Sequence, residues 1–95
     1  MTPRELLTKL KINNPGYWEG DTYIVDIDSD LDWGKINSKL DQGVADGILE
    51  TQDDGGVEED GAVIFYSDVE EGHLLTLTAD FESDSYRLMI EDFPA

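Results

Sequence analysis

The two segments that decide the fold are His73–Asp80, HLLTLTAD, and Ser85–Glu91, SYRLMIE. In both, apolar side chains recur at every second position, which is the period of a β-strand with one face toward a core. The connection between them, FESD, is short and polar, so the two strands are predicted to form an antiparallel hairpin. The side chains expected on its core face are Leu75, Leu77, Ala79, Tyr86, Leu88 and Ile90.

Further strands are predicted on the N-terminal side of this hairpin. Ala62–Ser67 is joined to it by the short connection DVEEG and extends an antiparallel meander. Thr22–Ile27 alternates and is rich in β-branched residues, and Gly47–Thr51 is a candidate for a short additional strand. The core faces of the first two are expected to present Val63, Phe65, Tyr23, Val25 and Ile27.

Capping residues and apolar side chains at helical spacing predict two helices. The first covers Pro3 to about Lys11, with Thr2 as its N-cap. The second covers about Leu31–Asp41, with Asp30 as N-cap and Gly43 as its stop. Together with the strands they predict an α+β fold in the order α-β-α-β-β-β-β. Two helices pack on one face of a small, mainly antiparallel sheet of four to five strands.

The composition predicts one small folded domain, residues 1–95. Hydrophobic residues make up 39% of the chain, which is enough for a core. Because there is no cysteine, disulfides, thiolate catalysis and thiolate metal sites are excluded. No stretch approaches the roughly 20 apolar residues that span a bilayer, and no signal peptide is visible. We therefore expect a soluble, cytoplasmic protein.

Charge is the most unusual property of the sequence. It contains 23 acidic and 6 basic residues, a net charge of −17. Residues 42–95 hold 15 of the acidic residues and a single base, Arg87. Such a density repels nucleic acid and anionic membranes and attracts basic protein surfaces. The segment Thr51–Gly61, TQDDGGVEEDG, has five acids and three glycines, so it is predicted to be an exposed acidic loop.

The four aspartates in YIVDIDSDLDWGKI occupy alternate positions, which raises the possibility of a calcium or phosphoryl-transfer site. A calcium loop needs glycine at position 6 and glutamate at position 12. Starting at the first aspartate, these positions hold Leu31 and Asn37, and starting at the second they hold Trp33 and Lys39. The Asp-x-Asp pair resembles the nucleophile motif of haloacid-dehalogenase-like phosphatases, but the threonine expected two residues later is Asp30, and the chain is too short for that fold.

Catalytic chemistry finds no other support in the sequence. His73 is the single histidine, so triads and paired-histidine sites are excluded, and it is expected to be a surface strand residue. No catalytic residue, metal site or cofactor is predicted. The chain is not expected to be an enzyme.

The charge favours an interaction protein that mimics nucleic acid and blocks a basic nucleic-acid-binding partner. In composition alone it is similar to a class of small acidic inhibitors: phage or mobile-element anti-restriction and anti-CRISPR proteins, and immunity proteins against nucleases. The alternative is a divalent-cation-binding or accessory structural domain with a generic acidic surface. The predicted partner contacts are Asp26, Asp28, Asp30, Asp32, Asp53, Asp54, Glu58, Glu59, Asp60, Asp68, Glu70, Glu71 and Trp18.

Overall fold

The structure, a computed structural model, describes residues 2–58 and 61–91, without the side chains of residues 53–58. Two helices pack on one face of a six-stranded antiparallel sheet with the strand order β1-β2-β6-β5-β4-β3. The elements are α1 (Pro3–Lys9), β1 (Tyr17–Glu19), β2 (Thr22–Ile27), α2 (Asp30–Ala45), β3 (Leu49–Glu58), β4 (Gly61–Asp68), β5 (Leu74–Asp80) and β6 (Ser85–Glu91). The predicted α+β class is confirmed, with more strands than the expected four to five.

The additional strand is β1, which pairs with β2 across a tight turn. Gly20 in that turn has φ +62°, a left-handed conformation that glycine adopts without steric cost. Three residues are too few to show an alternating pattern, so this strand was not predicted. The consequence is that Tyr17 and Trp18 lie on an edge strand.

The prediction of an exposed loop over residues 51–61 is wrong for the described part of this segment. Residues 49–58 form β3, which pairs with β4. The register shifts between Gln52 and Gly56, as expected of a β-bulge that absorbs the extra residues of this glycine-rich stretch. Local composition disfavoured a strand, but pairing with β4 satisfies the backbone and overrides that preference. Glu59 and Asp60 lie outside the described residues.

The core face of β4 is also the opposite of the predicted one. The pairing sets Tyr66 opposite Leu75 and Ile64 opposite Leu77, so the even-numbered residues of β4 face the helices. Val63 and Phe65 therefore point to the other side of the sheet. Because side chains alternate with a period of two, an error of one residue reverses a whole strand. The run AVIFY is apolar on both faces, which is why the sequence did not decide between them.

Helix α1 follows its prediction at the N-terminus and ends earlier at the C-terminus. The Thr2 hydroxyl accepts a hydrogen bond from the Glu5 backbone N–H, as an N-cap should. Lys11 has φ +61° and closes the helix, with the Ile12 N–H donating to the Leu7 carbonyl. The Arg4 guanidinium stabilises the turn after the helix by donating hydrogen bonds to the backbone carbonyls of Ile12 and Asn14, both at 2.8 Å.

The predicted ends of α2 are both displaced. Its N-cap is Ser29, whose hydroxyl accepts from the Asp32 N–H at 3.2 Å, and Asp30 is the first helical residue. The helix continues through Gly43 and ends at Ala45. Gly47, with φ +78°, turns the chain away from the helix, and the Ile48 N–H donates to the Gly43 carbonyl. At the N-terminus, Ser29 and Asp30 are both suited to capping, and at the C-terminus Gly43 and Gly47 can both end a helix. The sequence pattern therefore did not distinguish between the two positions at either end.

Two glycines of α2 lie in different surroundings, which leads to opposite predictions for alanine substitution. A Cβ at Gly43 would overlap the side chain of Leu10 and approach that of Leu49, whereas nothing lies within 4 Å of a Cβ at Gly34. Gly34→Ala should therefore raise the free energy of unfolding by about 0.5–1 kcal/mol through helix propensity. Gly43→Ala should lower it by about 1–3 kcal/mol through overpacking. Urea unfolding measures both, and equal gains would contradict this packing.

The core between the helices and the sheet fixes which face remains open. Leu7, Leu40 and Leu88 are fully buried there. The hydroxyl of Tyr66, on β4, donates to Asp41 at 2.7 Å and lies 3.0 Å from the Asn37 side-chain oxygen, both on α2. Burial and the interaction with Asp41 raise the pKa of the Tyr66 hydroxyl well above its usual value. These contacts hold α2 to one side of the sheet.

Candidate partner-binding surface

The second face of the sheet carries no helix within the described ranges, 2–58 and 61–91. We call this surface the open sheet face. Strand register aligns one residue from each strand across its middle, and we call these six residues the central row. They are Tyr17, Ile24, Met89, Thr76, Phe65 and Gln52, in the order of the strands. Ile24 is buried without belonging to the core beneath the helices.

Exposed acidic side chains border the central row, and we call them the acidic rim. The register places them on the same face of the sheet as the central row. The acidic rim consists of Glu19, Glu91 and Glu50 on one side and Asp26 and Asp80 on the other. Except for Asp26, sequence reasoning did not select these residues. Alternation within the strands was the available signal, but it requires knowing which strands are neighbours.

Asp26 connects the acidic rim to two other side chains of the open sheet face. Its carboxylate receives hydrogen bonds from the Tyr17 hydroxyl at 3.0 Å and from Arg87 Nε at 3.2 Å. The hydrogen bond to this carboxylate also raises the pKa of the Tyr17 hydroxyl. Arg87 is the single base in the six strands. Its charge is therefore already compensated within the open sheet face.

Charge is divided between the two layers of the fold. Five of the six basic residues lie in α1, the turn after it and α2: Arg4, Lys9, Lys11, Lys35 and Lys39. These helical segments contain four of the 23 acidic residues, so the other 19 share the rest of the chain with one base, Arg87. The helical layer is thus nearly neutral. Among the described residues, the strands and their connections carry almost all of the net negative charge.

The aspartate run does not converge on one point. Asp26 lies on the open sheet face, Asp28 is exposed between β2 and α2, and Asp30 and Asp32 lie in the first turn of α2. Acidic residues in the first turn interact favourably with the helix dipole. In the described part of the chain, no group of three or more acidic or histidine side chains is placed to hold a metal ion.

Asp68 is not the exposed residue that a partner contact requires, because its side chain is buried, with 2% exposure. The carboxylate accepts hydrogen bonds from the backbone N–H groups of Glu71 and His73 at 2.5 and 2.7 Å. His73 Nδ1 lies 2.7 Å from the same carboxylate. Burial alone would raise the pKa of Asp68, but these hydrogen bonds and the imidazole together hold it below the usual value.

His73 therefore is not the surface strand residue that was expected. Its side chain is 14% exposed and lies just before β5. An aspartate at the start of a tight turn commonly accepts hydrogen bonds from backbone N–H groups further along, and this signal was available in DVEEG. Glu70 and Glu71, in the same turn, are exposed, and Glu70 forms an ion pair with Lys9 at 3.5 Å.

Trp18 is 59% exposed on the edge strand β1 and pairs with Tyr23, so it lies on the face of the sheet that carries the helices, opposite the acidic rim. Its ring packs edge-on against Tyr23, with ring centroids 5.4 Å apart. Of the predicted acidic contacts in residues 53–60, Asp53, Asp54 and Glu58 have their backbone in β3, and their side chains are not described. These contacts stay predictions, as does the role of Trp18.

No protein-family model matches the chain, and comparisons with curated proteins and with solved structures also find no match. Neither helix in the described residues is long and apolar enough to cross a membrane.

Proposed function

We propose that this chain is a non-enzymatic acidic interaction protein that occupies the nucleic-acid site of a basic partner. The observation that carries the proposal is the division of charge between the layers. Negative charge concentrated on one layer presents a basic partner with a surface of a single sign, whereas charge spread evenly over the protein would not. The protein would then act as an inhibitor of the same kind as phage or mobile-element anti-restriction and anti-CRISPR proteins, or nuclease immunity proteins.

The amount of charge supports mimicry of a duplex. The protein measures 34 Å along its longest axis. Duplex DNA carries one charge per about 1.7 Å, or about 20 charges over that length. The net charge of −17 is close to this number. A partner that binds DNA through phosphate contacts would therefore meet a similar density of negative charge.

The test is affinity capture with a displacement step. The protein is immobilised, lysate from its source or host is passed over it, and the column is washed at about 0.1 M and about 0.5 M salt. The Debye length is about 10 Å at the lower concentration and roughly half of that or less at the higher one. We expect one nucleic-acid-binding protein to remain at the higher salt and to be released by duplex DNA. Many basic proteins lost together, with none specific, would overturn the proposal.

Matched charge variants of the same protein test where the partner binds. Glu50→Gln with Glu91→Gln removes two charges from the acidic rim. The helical-layer variant, Glu5→Gln with Asp46→Asn, removes one exposed charge from α1 and one from the residue that caps the C-terminus of α2. The rim variant should associate with the captured protein about three- to tenfold more slowly at low salt, because rim charges mainly set association rates. The helical-layer variant should resemble the wild type. Stopped-flow or biosensor kinetics distinguish them, and equal effects would argue against a sheet-side contact.

A further inference from the structure

We propose that the open sheet face is a docking surface for a basic amphipathic helix, a segment with an apolar stripe between flanking lysines or arginines. This inference rests on the proposed function in taking the partner to be basic. It does not require that the partner bind nucleic acid. An exposed apolar patch bordered by polar groups is characteristic of an interaction site, and the open sheet face has both parts.

The dimensions of the central row fit one helix. Six strands at a spacing of about 4.8 Å span about 24 Å, which is the length of a helix of about 16 residues at 1.5 Å per residue. Apolar side chains lie along and beside this row, and most of them are half-buried in the free protein. Ile24 is already buried, whereas Met89, Phe65, Val63 and Leu74 are half-buried. A helix seated there would remove the exposed parts of these four side chains from water.

The acidic rim fits the flanks of the same helix. Glu19, Glu50 and Glu91 are two residues along their strands from the central row, and Asp26 is two residues away in the other direction. Two residues of a strand correspond to about 6.8 Å. Because a helix with its side chains is about 10–12 Å wide, basic residues on one of its sides would lie above Glu19, Glu50 and Glu91. On its other side Asp26 already pairs with Arg87, so the first side carries the charge complementarity. Apolar contact would supply affinity, and the acidic rim would select a basic segment.

A second copy of this chain is the occupant that these charges disfavour. Packing two open sheet faces together would bring one acidic rim against another, in a pair of chains that each carry a charge of −17. The single base available on this face, Arg87, is already 3.2 Å from Asp26 of its own chain. These charges therefore favour a basic partner over a second copy of this chain.

The test uses two synthetic peptides of about 18 residues with the same leucine and lysine content. In the first, leucines at positions i, i+3, i+4 and i+7 form one stripe, and in the second the order has no stripe. Each peptide is titrated into the protein in a calorimeter at about 0.5 M salt, because this salt concentration screens long-range electrostatic attraction. The striped peptide is expected to bind with one-to-one stoichiometry and at least about tenfold more tightly.

Two double variants locate the binding. Phe65→Thr with Met89→Thr removes apolar surface from the open sheet face while keeping residues that suit strands. Leu31→Gln with Val69→Thr removes apolar surface of 67% and 52% exposed side chains elsewhere. The first variant should weaken the striped peptide about tenfold, and the second should leave its affinity unchanged. Circular dichroism confirms that both variants are folded.

Any of three results would overturn the inference. The first is that the two peptides bind equally well, and the second is that the two double variants weaken binding equally. The third is that sedimentation shows a dimer of the wild type that is absent in the variant Phe65→Thr with Met89→Thr. The last result would make a second copy the occupant. A failed capture experiment with DNA displacement would instead overturn the proposed function and leave this docking surface standing, so the two failures can be told apart.

Discussion

Replacing Asp68 with alanine is expected to lower the free energy of unfolding by about 3–5 kcal/mol. The reason is that one buried carboxylate serves the backbone N–H groups of Glu71 and His73 and the imidazole of His73. Removing it takes away the shared acceptor of these contacts and leaves a gap where a side chain with 2% exposure was packed. Chemical denaturation followed by circular dichroism measures the loss.

Asp68→Asn is the matched control, because it keeps the size of the side chain and removes its charge. Its amide group directs N–H toward groups that also donate, so a loss of about 2–3 kcal/mol is expected at pH 7. A loss below about 0.5 kcal/mol in Asp68→Ala would contradict the hydrogen-bonding arrangement, since ordinary surface substitutions fall in that range.

The same pair predicts a pH dependence. The pKa of Asp68 in the folded protein lies below the ordinary value of 3.8. Stabilisation by the ionised carboxylate is therefore present above the unfolded-state pKa and is lost as pH falls through the folded-state pKa. The advantage of the wild type over Asp68→Asn should shrink below about pH 4. The other carboxylates are common to both proteins, so in this acidic range the difference reports Asp68 together with its contact to His73.

Tyr66→Ala is expected to cost about 3–5 kcal/mol, whereas Phe65→Ala, one residue earlier, should cost about 1 kcal/mol. Tyr66 is 1% exposed in the core, and its hydroxyl donates to Asp41 on α2. Phe65 is half-buried on the open sheet face. The two substitutions remove aromatic rings from adjacent positions, so the difference between them reports which face of β4 meets the helices.

Equilibrium unfolding of the two variants, compared with the wild type under the same conditions, measures this difference. Equal costs, or a larger cost for Phe65→Ala, would mean that β4 has the opposite orientation. The orientation matters for function as well as stability. If Phe65 faced the core, β4 would present Ile64 and Tyr66 on the open sheet face instead of Val63 and Phe65.

The part of the fold that could be predicted from sequence is the part with an unambiguous period. In β5 and β6, polar or charged residues such as Thr76, Thr78 and Arg87 alternate with the core residues, so the local pattern identifies the core face, although Thr76 is itself buried. β4 has no such separation, and its orientation depends on the register with β5. β3 is disfavoured by its own composition and depends on pairing with β4.

The candidate site divides in the same way. Composition alone gave the sign and amount of charge, and with them the expectation of a basic partner. It did not give the acidic rim, because Glu19, Glu50 and Glu91 lie on three different strands and become neighbours through the strand order. It also assigned Asp68 to the surface, although hydrogen bonds in the turn compensate its burial.

The sequence by itself therefore determined the α+β class, the hairpin of β5 and β6, the N-terminus of α1 and the excess of negative charge. Each of these follows from composition or from residues close together in the chain, where periodicity, capping and charge act locally. The tertiary structure decided the face of β4, the strand nature of β3, the burial of Asp68 and the separation of charge between layers. These depend on which segments become neighbours, and strand pairing settles that through contacts between residues far apart in sequence.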